Sequence, residues 1–328
     1  VGLKAGVLLV GASLAGIGHH VHRIPTAVIE GFTAGIAVVI ALQQVPTALG
    51  VEIEATEHVW QTAWLAASSG SAINWVSVTV AVSATAMVLI GQRLLPRIPF
   101  ALVAVATALV FGMLFGLDTA RIGDLPSLLA APSAAFLTSI DWFALVPSAL
   151  AVATLAALES LLSAKVADRL VGAKTRHDSD RELFGQGLAN LVVPFFGGVP
   201  ATAALARTAV NVRNGARSRL ASASHAIFLA AIVLTLPTLV AQIPLAALAG
   251  VLFATTAHMV KPSELVTLAR ESRLDALLLF ATFAATILLD LISAVLIGLV
   301  LFLALRKTRL ASVDRRYPPV DKKETLGD

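Results

Sequence analysis

Long apolar runs, broken by short polar stretches, fill the chain from its first residue to about position 306. They recur at about 1–18, 26–49, 73–95, 99–116, 142–166, 183–196, 201–213, 219–241, 244–260, 275–290 and 292–306. A helix rises about 1.5 Å per residue and the bilayer core is about 30 Å thick, so roughly 20 apolar residues make one crossing. Most runs approach that length, and together they predict an all-α integral membrane protein with about eleven membrane segments. The runs at 183–196 and 201–213 are too short to cross alone. Only Asp290-Leu291 parts the last two, which suits a tight hairpin.

Composition agrees with this pattern. Hydrophobic residues make up 57% of the 328 and charged residues 13%, against about 25% charged in soluble domains. The mean hydropathy is +0.86. There is no cysteine, which excludes disulfides, thiol catalysis and cysteine-ligated metals. A net charge of +4 does not point to nucleic acid, because the basic residues sit in short clusters between apolar runs. That is the pattern of cytoplasmic loops.

Placing the basic tail (Arg306, Lys307, Arg309, Arg315, Arg316) in the cytoplasm orders the other loops by alternation. His22-Arg23, Arg93 and Arg97, Arg169 to Arg181, Arg213 to Arg219 and Lys261 to Arg273 fall inside. Glu52, Glu54, Glu57, Asp118, Arg121, Asp124, Asp141, Gln242 and Asp290 fall outside. Of the 24 Lys and Arg residues only Lys4, Arg121 and Arg207 depart from the inner set. An odd number of segments puts Val1 on the outer side, and the chain starts without Met inside an apolar run. Both features lead us to expect further spans before it in the complete protein. The expected location is a cell membrane, with the C-terminus cytoplasmic.

The chemistry concentrates between residues 150 and 215. Glu159 lies several turns from either flank of its apolar run, where an ionisable side chain is costly and faces a cavity or a partner. Ser163 shares its face four residues on, and Ala156, Ala157, Ser160 and Ala164 suit close helix packing. Phe195-Phe196-Gly197-Gly198-Val199-Pro200-Ala201-Thr202-Ala203 then separates two runs too short to span. This layout suits a helix that starts partway through the membrane, with Pro200 near its first turn. The N-terminus of such a helix offers unpaired N–H groups and partial positive charge to an anion. Gly-Gly-x-Pro suits an ordinary turn equally well; Arg207, with no acidic neighbour in sequence, favours the half-helix. Its partner is either Glu159 or a substrate anion.

The charged loop from Ala167 to Glu182 reads as structural, with Asp178 or Ser179 capping the next helix and Glu182 as a capping-box partner. Gln186 and Asn190, four apart, suit hydrogen bonds to neighbouring helices. His19, His20 and His22 lack further ligands for a metal and read as interfacial. No phosphate loop, nucleophile elbow or HExxH is present. No cofactor is expected beyond a coupling ion.

The blocks Leu158-Glu159-Ser160-Leu161-Leu162-Ser163-Ala164, Gly185-Gln186-Gly187-Leu188-Ala189-Asn190, Gly197-Gly198-Val199-Pro200-Ala201-Thr202 and Arg207-Thr208-Ala209-Val210-Asn211 follow in order. With Gly31-Phe32-Thr33-Ala34-Gly35 and Ile243-Pro244-Leu245-Ala246-Ala247-Leu248, they resemble the SulP (sulfate permease) family of anion transporters. The resemblance covers almost the whole chain. It implies a seven-plus-seven inverted-repeat transporter fold, entered near its fourth segment. Residues 1–24 and 142–241 would be core domain, 25–141 and 242–310 gate domain, and 311–328 a cytoplasmic tail. The substrate would lie at a half-helix over 201–213, bound by Pro200, Ala201, Thr202, Ala203 and Arg207. Glu159 and Ser163 would form the coupling-ion position for H+ or Na+. The resemblance also implies that a third segment with the facing half-helix, and a regulatory domain after the membrane part, are missing from this chain.

The function expected from this reading is secondary active transport of a small inorganic anion, of the sulfate or bicarbonate class, and not enzymatic. The expected partners are membrane lipid and, as an open assembly, a second copy in a homodimer. The alternatives are a nucleobase carrier of the same fold, which has no need of Arg207, and an uncoupled anion channel, which has no need of Glu159.

Overall fold

The protein's structure, a computed structural model, describes residues 1–19, 25–124, 131–138, 143–172, 177–204, 207–208, 211–212, 215–289 and 291–306. His20, His22, Asp141, Lys174, Arg176, Arg213, Asp290 and the tail beyond 306 lie outside the described residues. Those described are helical, apart from loops and one isolated bridge between Arg121 and Pro244.

The helices follow the apolar runs. In order they are α1 (Gly2–Leu14), α2 (Thr26–Leu49), α3 (Val59–Ser68), α4 (Trp75–Leu94), α5 (Phe100–Phe115), α6 (Val146–Val171) and α7 (Ser179–Val192). After these come α8 (Leu220–Thr235), α9 (Pro237–Ala241), α10 (Leu245–Met259), α11 (Pro262–Glu271), α12 (Arg273–Leu288) and α13 (Leu291–Arg306). Four stretches, Thr26–Leu49, Trp75–Leu94, Val146–Lys165 and Leu245–Glu271, have the length and apolarity of a membrane crossing. Gly2–Leu14, Phe100–Phe115 and Leu220–Thr235 are apolar but shorter. The stretch from Leu245 is two helices, because Val260 adopts extended backbone (φ −85°, ψ 124°) and Pro262 opens the second. The last two apolar runs form α12 and α13, packed side by side.

Small residues set the packing. Lipid chains are as apolar as leucine, so helices in a bilayer associate through close backbone approach rather than through escape from water. α1 crosses α7 at Gly6 and Gly187. A Cβ on Gly6 would lie 2.9 Å from the Gly187 carbonyl, and one on Gly187 would lie 2.7 Å from Val10 Cγ2. Gly31 of α2 meets the backbone of Leu279 in α12, and Gly250 of α10 meets the carbonyl of Ala81 in α4.

Two groups of helices result. α1, α6 and α7 pack together around Ala5, Leu9, Ala153, Ala156, Leu161 and Leu183. α2, α3, α4, α5, α10, α11, α12 and α13 form the other group, with α2 as its most connected member. The groups meet where Leu158 of α6 packs against Phe32 and Ile36 of α2, Ala285 of α12 and Ala294 of α13.

The α1–α7 crossing yields a paired prediction. Gly187→Ala should destabilise the protein by about 1–3 kcal/mol through overpacking. Gly185→Ala, two residues away with open space at its Cβ, should gain up to about 1 kcal/mol from helix propensity. Thermal unfolding in detergent checks both; equal shifts would show that the crossing does not constrain residue 187.

Candidate functional site

The α6–α7 connection brings the candidate residues together. Asp178 is the N-cap of α7; its carboxylate accepts from the N–H groups of Asp180 (3.0 Å) and Arg181 (3.2 Å). These bonds, that of Arg181 foremost, hold its carboxyl below the usual range. The Asp168 carboxylate accepts from the His177 backbone N–H at 2.9 Å and lies 2.7 Å from its ring Nδ1. Asp180 fastens α1 to α7. Its carbonyl accepts from Ser13 Oγ at 2.7 Å, and its carboxylate from the Gly18 N–H at 2.9 Å and from His19.

Further along α7, Asn190 is fully buried. Its side-chain oxygen accepts from the Ala201 N–H, and its Nδ2 donates to the Ala201 carbonyl, both at 2.9 Å. Gln186 Nε2 donates to the same carbonyl, and Gln186 Oε1 accepts from Ser160 Oγ of α6 at 3.1 Å. Both polar backbone groups of Ala201, which belong to successive peptide units, are thus held by α7. Gln186 and Asn190 bind neighbouring backbone and helix, as their spacing predicts.

What they hold is not helical. Residues 197 to 204 are irregular, and Gly197 adopts φ 72° at the turn. Among the described residues, a helical bond runs from the Thr208 N–H to the Ala204 carbonyl at 2.9 Å. The expected half-helix over 201–213, with Pro200 near its first turn, is therefore corrected at its N-terminal end: Ala201 to Ala204 are irregular, and the described helical residues are 207–208 and 211–212. Bonding both polar backbone groups of Ala201 to α7 side chains competes with helical geometry in this stretch. Among the described residues, the N–H groups of Thr202 and Ala203 have no hydrogen-bond partner.

This stretch runs beside α6. Thr202 Oγ1 donates to the Ala156 carbonyl at 3.3 Å and also lies in hydrogen-bond contact with the Glu159 carboxyl. A hydroxyl has one proton to give, so the two oxygens compete for it. Two turns along, Ser163 Oγ and Thr208 Oγ1 are 2.6 Å apart. Glu159, Thr202, Ser163 and Thr208 therefore share one seam. Thr208, which spacing alone does not single out, is the missed member. Arg207 is exposed and forms no ion pair with Glu159 among the described residues. A cavity of about 360 Å³ opens between the two helix groups, bordered by Thr154, Leu155, Gln43, Thr286 and His58.

A model of the sulfate permease family matches residues 1–282. YvdB of Bacillus subtilis (strain 168), whose name assigns it provisionally to sulfate transport, is 35% identical over 98% of this chain and 63% of its own length. The bicarbonate transporter BicA of Synechocystis is 29% identical over 96% of this chain and 56% of its own. The chain thus spans about six-tenths of the length of these relatives. Among solved structures, the transmembrane domain of a cyanobacterial BicA superposes with a TM-score of 0.78 at 28% identity, covering 90% of this chain and 75% of that one. Full-length SLC26A9 superposes at 0.80 with 17% identity, a likeness of fold.

Two substitutions test the geometry. Asn190→Ala removes the partner of the Ala201 N–H and one of the two donors to its carbonyl; a loss of about 2–3 kcal/mol and faster amide exchange over 197–204 are expected. Because the Asp178 carboxyl is held low, its contribution is present above the unfolded carboxylate range and lost as pH falls through the folded value. Asp178→Asn keeps the cap but should lose that increment of acid sensitivity in a melting series below pH 5.

Proposed function

The chain belongs to the sulfate permease family, and from that premise we propose that it carries an inorganic anion of the sulfate or bicarbonate class across the membrane by secondary active transport. The observation that carries this reading is the irregular stretch at Thr202 and Ala203, whose N–H groups have no hydrogen-bond partner among the described residues and whose Thr202 side chain contacts Glu159. Unpaired N–H groups among apolar helices need an acceptor, and an anion supplies one. The helix that follows adds partial positive charge from its N-terminus. Arg207, with no ion pair among the described residues, contributes positive potential. The names of the relatives supply the substrate class.

Coupling runs through Glu159. Ionised, its carboxylate takes the Thr202 proton; protonated or sodium-bound, it releases that hydroxyl to the Ala156 carbonyl. The charge state of Glu159 thereby changes the edge of the anion site it touches. Ser163, tied to Thr208, carries the same seam into the helix that follows. Transport proceeds by displacement of the α1/α6/α7 group against the group built on α2. In this proposal those groups are the core (1–24, 142–241) and gate (25–141, 242–310) of a seven-plus-seven inverted repeat with a cytoplasmic C-terminus. The cavity between them supports the reading, since a seam filled along its whole length would resist sliding.

The test is uptake by the full-length protein in proteoliposomes, with sulfate, bicarbonate, chloride, dicarboxylates and a nucleobase offered separately. Concentrative uptake of one of the anions is expected; uptake of the nucleobase alone would replace this reading. Glu159→Gln should abolish pH- or sodium-driven uptake while anion binding survives, and unchanged coupled uptake would remove its role. Arg207→Ala should weaken binding of a divalent anion about tenfold and of chloride less, the effect of losing one charged contact of about 1.5 kcal/mol. An unaltered isotherm would take Arg207 out of the site.

A further inference from the structure

Helix α3 connects two membrane-length helices and carries an apolar face left exposed by the described residues. Ala63 and Ala66 are buried against α2, whereas Trp60, Trp64 and Leu65 are 41%, 71% and 47% exposed. Trp75, at the start of α4, adds a third indole at 71% exposure. The orientation of this face is fixed from below. Thr56 N–H donates to Thr62 Oγ1 at 3.1 Å, the two hydroxyls lie 2.8 Å apart, and Thr56 Oγ1 donates to the His58 carbonyl at 2.9 Å. The His58 ring stacks on Trp60 with centroids 6.1 Å apart and planes 9° from parallel. Glu52, Glu54 and Glu57, all exposed, line the stretch leading into the helix.

The position of α3 along the bundle says what covers it. Val59 borders the same cavity as Ile287 and Leu289 at the end of α12, while α11 joins directly to the start of α12. α12 has 16 residues, so the two short helices stand about 24 Å apart along it, close to the thickness of a bilayer core. α11 carries exposed Val266 and Arg270, with Lys261 just before it and Arg273 opening α12. α3, at the other end, has no basic residue. Indoles at the end of a membrane span, with an apolar body and an N–H to hydrogen-bond, match the headgroup boundary.

We propose that α3 and Trp75 form a docking surface for the bilayer interface, with the indoles at the level of the glycerol backbone and Glu52, Glu54 and Glu57 facing ammonium-bearing headgroups such as phosphatidylethanolamine. The row of carboxylates makes anionic headgroups the poorer match at this end. This surface is independent of the transported ion.

Quenching of tryptophan fluorescence by brominated phospholipids tests the proposal on full-length protein in bilayers. In a variant that keeps only Trp64 (W60F, W75F, W142F), bromines at acyl positions 6 and 7 should quench at least twofold more than bromines at 11 and 12. Wild-type protein should show the same order, which keeps the test usable if the triple variant folds poorly, and Trp64→Phe should reduce the shallow component. In mixed bilayers, brominated phosphatidylethanolamine should quench more than brominated phosphatidylglycerol, and the triple change E52Q/E54Q/E57Q should remove that preference. Absence of quenching, stronger quenching from the deeper bromines, or loss of quenching as protein density rises would each overturn the proposal; the last would assign the face to a second copy. Equal quenching by the two headgroups would overturn the role of the carboxylates.

Discussion

A peptide group among apolar helices has to find its hydrogen-bond partners within the protein, and at Ala201 that partner is Asn190. One buried amide side chain reproduces both halves of a backbone pairing at 2.9 Å, and Gln186 supports it from one turn earlier. Unsatisfied N–H and C=O groups each cost several kcal/mol in hydrocarbon, so irregular chain at this depth persists only where such partners exist. The position of α7 therefore decides the position of the site. That position is set by the glycine crossing with α1 and by the Asp180 contacts to Ser13, Gly18 and His19.

From this constraint the rest of the seam follows. With Ala201 fixed to α7, the next residues have to run along α6, where Thr202 meets Ala156 and Glu159 and Thr208 meets Ser163. Among the described residues the N–H groups of Thr202 and Ala203 have no partner, since α7 bonds only to Ala201 in this stretch. A backbone site of this kind answers to charge more than to the shape of a ligand, in keeping with relatives named for sulfate and for bicarbonate. In the proposed function, the charge state of Glu159 decides which oxygen the Thr202 hydroxyl serves, which would set the coupling group one hydrogen bond from the anion.

Much of this was legible in the sequence, and unevenly so. The run at 26–49 became α2 with the same ends, since its apolar composition, Pro25 before it and Gly50 after it agree. Gln186 and Asn190 were readable as a polar pair on one helical face. The helices α3 and α11 were not, because each is 10 residues long and amphipathic, and such stretches read as charged or polar loops. The start of the second short segment was misplaced because Pro200 is a good first helical residue, while the tertiary bonds from Asn190 override that preference. Contact between Glu159 and Thr202, or between Ser163 and Thr208, follows from the fold and has no local signature.

The absence of cysteine from the chain makes the central claim directly measurable. Ala203→Cys would place a single thiol on the irregular stretch, open to a small anionic thiol reagent in full-length protein. The account predicts that sulfate or bicarbonate slows its labelling in a saturable, dose-dependent way, while an equal concentration of a neutral solute does not. Labelling at the same rate with and without every anion would contradict it.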